Sequence, residues 1–100
     1  MASGTILSPN DLGKVDYSYY GGLGTSTDTQ VATYLLNNIP TGRVICGLTD
    51  STNGTIYFIG HVYDGRLYGS VLLLEVTASS SIKYMVRRNG SDSFKVISGS

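Results

Sequence analysis

The chain has 100 residues, of which 41% are hydrophobic and 14% charged, with seven basic and seven acidic side chains. That length sets a single domain, and the balanced charge excludes the basic footprint of a nucleic-acid binder or of a protein drawn to an anionic membrane surface. A charged share well under the usual level of about 25%, with ample apolar residues, argues against disorder and for a surface partly covered at an oligomer interface.

Residues 1–8 read as a lead-in, 9–98 as a single β domain and 99–100 as a tail. The N-terminus lacks the basic and apolar regions of a signal peptide. The longest apolar run, Val71 to Leu74, is too short to span a bilayer. Thirteen glycines, eight tyrosines and no tryptophan describe a chain of strands and turns.

Pro9 to Leu12 reads as a turn or a short helical start. Lys14 to Tyr20 alternates Val15, Tyr17 and Tyr19 against Asp16, Ser18 and Tyr20, the pattern of a half-buried strand. Gly21-Gly22-Leu23-Gly24 breaks it. Thr25 to Asn38 is open between a strand and a short helix near 28–38. Thr27 or Asp28 suits a cap, and Val31, Tyr34 and Leu35 fall at helical spacing, but valine and threonine are poor helix formers. Asn37-Asn38 and Pro40-Thr41-Gly42 mark a stop.

Arg43 to Leu48 reads as a strand, Asp50 to Gly54 as a loop and Thr55 to Tyr63 as a strand. Asp64-Gly65 signals a two-residue hairpin, with Arg66 to Val76 returning and Gly69 marking a bulge or a close backbone approach. Thr77 to Ser81 is a polar loop, Ile82 to Arg88 a strand, Asn89-Gly90 a turn, and Phe94 to Ser98 the last strand. The expected fold is all-β, a mainly antiparallel sheet or sandwich built of hairpins. The strands around Asp64-Gly65 are apolar on both faces: Tyr57, Ile59 and Tyr63 against Ile56, Phe58 and Val62, and Leu67, Val71 and Leu73 against Leu72, Leu74 and Val76. Such strands are buried on both sides, which in a domain this small calls for cover from another subunit. Leu72, Leu74 and Val76 are the expected oligomer interface.

The chemistry-bearing residues are sparse. His61 is the only histidine and Cys46 the only cysteine. No spacing assembles them with a carboxylate into a nucleophilic set or a zinc site, and Cys46 reads as a buried thiol among apolar neighbours. The single glutamate, Glu75, and turn-forming aspartates do not make a glycosidase pair. Gly21 to Gly24 lacks the spacing and lysine of a phosphate loop. No enzymatic activity, metal or cofactor is expected. Tyrosines supply flat faces for sugar rings or protein contacts. The expected receptor or glycan contacts are Tyr17, Tyr19, Tyr20, Tyr63, Asp64, Arg66, Arg87 and Arg88.

The order of features resembles the small distal knob modules of phage tail fibres and R-type pyocin fibres. Tyr19-Tyr20-Gly21 matches the early aromatic strand of that family, and Asn38-Ile39-Pro40-Thr41-Gly42 its Asn-x-Pro-x-Gly turn. Ile82 to Ser91 with Phe94 matches its closing strands, with Phe94 and Val96 standing where that family carries tryptophans. The resemblance spans about Asn10 to Ser98. It implies a homotrimeric, non-enzymatic part of a phage virion or exported particle that presents a surface to a host glycan or protein. The alternatives are a monomeric carbohydrate-binding β-module of a bacterial protein and a purely structural capsid or head-fibre protein.

Overall fold

The computed structural model describes residues 16–75 and 81–97. In chain order the elements are β1 (Asp16–Tyr20), α1 (Asp28–Asn38), β2 (Val44–Ser51), β3 (Gly54–Tyr63), β4 (Tyr68–Glu75), β5 (Ile82–Arg88) and β6 (Ser91–Ile97). The strands form one six-stranded sheet in sequence order. β2 to β6 make an antiparallel meander, while β1 joins the edge parallel to β2. The described residues are therefore mainly antiparallel β with one helix, a single sheet rather than a sandwich.

The open stretch before residue 39 is a helix. Its start is a capping box: the Thr27 side chain accepts from the Gln30 backbone at 3.2 Å, and the Gln30 side chain accepts from the Thr27 backbone at 2.9 Å. Two of the N–H groups that a helix start leaves unpaired are thereby satisfied. Val31, Ala32, Leu35 and Leu36 form the buried stripe, with Ile39 just beyond. Tyr34 falls on the flank, meeting Tyr20 edge-on at 6.4 Å. Gly42, four residues beyond the end of the helix, has φ +83° and donates to the Val62 carbonyl at 2.8 Å, which turns the chain into β2.

One face of the sheet receives α1. Ile45, Ile56, Phe58, Val62, Val71, Leu73 and Met85 are buried there with the helical stripe. Tyr20 packs edge-on against Phe58 at 5.6 Å, which ties β1 to the core. At Gly47 the parallel strand lies so close that a Cβ would overlap the Ser18 carbonyl. Gly69 is a close approach rather than a bulge: it pairs in register with Val62, and a Cβ would lie 2.7 Å from the His61 carbonyl.

Two turns differ from the expected ones. Asp50 and Ser51 continue β2 instead of opening a loop, and Ser51 pairs with Gly54 across a two-residue turn. The β3–β4 connection has four residues, because Tyr63 pairs with Tyr68. Asp64, Gly65 and Arg66 all take left-handed φ there. Arg66 is held in that costly conformation as its guanidinium donates to the Leu36 carbonyl of α1 at 3.0 Å. Asn89-Gly90 makes the expected two-residue turn, both residues with positive φ, and the Gly90 N–H donates to the Leu67 carbonyl at 2.9 Å. The two hairpin ends are thus fastened together.

Candidate functional site

Strand alternation puts every second side chain on the face away from α1, and register sorts those side chains into rows running across the strands. The first row is apolar throughout: Tyr19, Leu48, Tyr57, Leu74, Ile82 and Ile97 stand side by side. The second holds Cys46, Ile59, Leu72, Tyr84 and Lys95, and the third Val44, His61, Ser70, Val86 and Ser93. At the far end Tyr63 sits beside Tyr68, and Arg88 beside Ser91. The outer face therefore grades from wholly apolar at one end to aromatic, hydroxylic and basic at the other.

Nothing among the described residues covers this face. Tyr19 is 67% exposed, Tyr57 47%, Ile59 48% and Leu72 40%. Strands β3 and β4 are apolar on both sides, as the sequence implies, but only the helix side is closed by the described residues. Contiguous exposed apolar surface of this kind is uncommon on monomeric domains.

The aromatic end is shaped. The Tyr63 and Tyr68 rings stack with centroids 5.8 Å apart and planes 21° apart, and His61 lies 5.3 Å from Tyr63. With Ser70, Val86 and Arg88 they line a groove of about 550 Å³. Val86 and Arg88 also border a second hollow of about 380 Å³, with Tyr84, Ser91, Ser93 and Lys95. No acidic side chain borders either hollow. Among the described residues, Arg88 and Lys95 enter no ion pair.

Arg87 and Lys83, by contrast, are engaged on the helix side. Arg87 is buried there and grips Asp92 with two hydrogen bonds, at 2.6 and 2.9 Å, so its charge is turned from the groove it borders. Those hydrogen bonds hold the Asp92 carboxyl below the usual aspartate range in spite of partial burial. Lys83 bridges Asp28, in the first turn of α1, and Glu75, at the end of β4. Asp28 also accepts from Ser51 at 2.5 Å and from Asn53 at 2.9 Å. Burial works against the Asp28 charge, but these hydrogen bonds and the Lys83 ammonium outweigh it and hold the carboxyl low. Burial likewise opposes the charge of Lys83, and its two carboxylate partners raise its pKa nonetheless. Among the described residues no buried side-chain oxygen lacks a hydrogen-bond partner, and the cluster clasps the start of the helix to the sheet. The signal for it in the sequence is Glu75, a lone acid in an apolar strand, which needs a partner if buried.

The expected contact residues separate accordingly. Tyr19, Tyr63 and Arg88 lie on the outer face. Tyr20 lies on the helix side against Phe58 and Tyr34, and Arg66 is tied to Leu36. Asp64 is exposed in the turn. Tyr17 occupies the second outer row by register with Cys46, its side chain lying outside those described. Of the expected interface, Leu72 and Leu74 lie on the outer face and Val76 lies outside the described residues. Cys46 is half-buried on this face rather than in the core. It stands one row from His61, and neither row contains a carboxylate to orient a base. Among the described residues no group of three or more histidine, cysteine or acidic side chains is placed to hold a metal, and no helix is long and apolar enough to cross a membrane.

Comparison with protein-family models, with curated proteins and with solved structures gives no match to this chain.

Proposed function

We propose that the protein is a non-enzymatic, self-associating module of a phage or phage-like particle fibre. In this reading it is homotrimeric and presents one end of its outer sheet face to a host surface. The observation that carries the reading is the uncovered apolar row from Tyr19 to Ile97 together with the Ile59–Leu72 row beside it. A face of this composition is stabilised when another copy removes it from water, at roughly 25 cal/mol for each Å² buried. The grading of the face supports the second half of the proposal, since assembly through the apolar rows leaves the aromatic-basic end free. The resemblance to fibre knobs supplies the biological setting: Tyr19-Tyr20-Gly21 ends β1, Asn38 to Gly42 is the turn after α1, and Ile82 to Ser91 with Phe94 builds the last hairpin.

Solution mass by light scattering on a sizing column tests this. The expected mass is that of three chains, and Leu72→Asp shifts it to one chain while far-UV circular dichroism stays unchanged, because Leu72 takes no part in the helix-side core. A wild-type chain that stays monomeric at high concentration overturns the assembly reading. The alternative of a monomeric carbohydrate-binding module would then take its place.

A further inference from the structure

We infer that the groove at the aromatic end of the outer face binds an anionic saccharide, with a sugar ring on the Tyr63–Tyr68 pair and its acid group between Arg88 and Lys95. The inference rests on the proposal that this end is presented outward, and it adds the chemical class of the ligand.

Three features converge. The stacked tyrosines, with centroids 5.8 Å apart and planes 21° apart, and His61 tilted beside Tyr63 gather aromatic surface along the groove. The C–H face of a pyranose packs on such a surface, and the phenol hydroxyls hydrogen-bond to its substituents. The positive charge is unspent: Arg88 borders both hollows, Lys95 borders the second, and neither has an acidic partner among the described residues. Arg87 and Lys83, by contrast, are neutralised on the helix side. Finally, hydroxyls of Ser70, Ser91 and Ser93 line the same hollows without an acidic side chain among them. A neutral sugar would leave the two cations unused, whereas a carboxylate or sulfate accepts charge-assisted hydrogen bonds from them. Two such cations on the described face, in a chain of zero net charge, are too few to follow a nucleic-acid backbone.

Titration calorimetry on the full chain tests this with four probes: a hexasaccharide of alternating glucuronate and N-acetylglucosamine, its sulfated counterpart, neutral chitohexaose, and inorganic tripolyphosphate. At least one acidic hexasaccharide should bind tightest, and the two together tell carboxylate from sulfate recognition. Arg88→Gln, an exposed change, should weaken that binding by about tenfold or more, as expected for a hydrogen bond between charged groups. Tyr63→Ala should weaken it comparably, and Tyr63→Phe less. Equal affinity for chitohexaose overturns the role of the charge, and equal affinity for tripolyphosphate overturns the role of the ring platform. Absence of binding by both acidic hexasaccharides, or an Arg88→Gln affinity equal to wild type, overturns the site. A monomeric mass with intact binding removes only the assembly proposal, and a trimer without binding removes only this one.

Discussion

Replacing Lys83 with methionine removes the cation that bridges Asp28 and Glu75, whose side chains are 6% and 3% exposed. The stem keeps its packing, so the change is chiefly electrostatic. Removing one partner of a buried ion pair costs about 3–5 kcal/mol. Lys83 is 15% exposed, and Ser51 and Asn53 remain on Asp28, which places the cost near the lower end, about 3 kcal/mol. Against a total stability of roughly 5–15 kcal/mol for a domain, this is a large fraction. Urea melts should show a midpoint lower by about 1–3 M, for a slope of about 1–3 kcal/mol per M. The pH dependence is the sharper test. The lowered pKa of Asp28 in the native protein gives a contribution that is complete above its unfolded-state value and is lost as the pH falls through its folded-state value. The raised pKa of Lys83 gives one that is present below its unfolded-state value and lost as the pH rises through the folded-state value. In the variant the uncompensated acid is relieved by protonation, so the gap to wild type should narrow between about pH 7 and about pH 4, where aspartate and glutamate titrate. A gap of the same size at both pH values, or one under about 1 kcal/mol at neutral pH, would refute the clasp as a source of stability.

Gly47→Ala should displace β1, because the new methyl group meets the Ser18 carbonyl. The expected cost is roughly 2 kcal/mol, and hydrogen exchange should quicken in β1 before it does in β3 or β4. Thr27→Ala breaks the capping box and should cost about 1 kcal/mol in thermal or urea unfolding. Arg66→Ala keeps the left-handed φ and loses the hydrogen bond to Leu36, whereas Arg66→Gly loses only the bond. The glycine variant should be the more stable of the two by about 1 kcal/mol, and equal stabilities would mean that the turn is unstrained.

The meander was legible because the alternation of Ile56, Phe58 and Val62 against Tyr57, Ile59 and Tyr63 is strict, and its partition between faces is the one the structure shows. The helix was legible in principle: Thr27-Asp28-Thr29-Gln30 spells a capping box, a stronger sign than the weak propensities of valine and threonine around it. Asp50 and Ser51 carry turn chemistry yet lie in a strand, since Asp50 accepts from the Leu23 backbone at 2.9 Å and Ser51 donates to Asp28. Side chains satisfied by distant partners have no local signature. The groove depended on loop length. A two-residue turn at Asp64-Gly65 would set Tyr63 opposite Arg66, and only the four-residue turn brings Tyr68 beside it. The parallel placement of β1 has no local signal either, because a strand pattern does not name its neighbour.

That edge placement also orders the steps by which the chain folds. From β2 to β6 every strand pairs with the next one in sequence, and where the connection is described it is a turn of two or four residues. Closing such short loops forfeits little chain entropy, and contacts close in sequence form quickly. β1 reaches β2 only across the whole of α1, so its pairing waits until Val31, Leu35 and Leu36 have a sheet to rest on. The meander is then the early-forming unit, the helix docks on it, and β1 zips on last. It should be the first strand to peel away under force applied at the N-terminus, leaving the rest of the sheet to yield later.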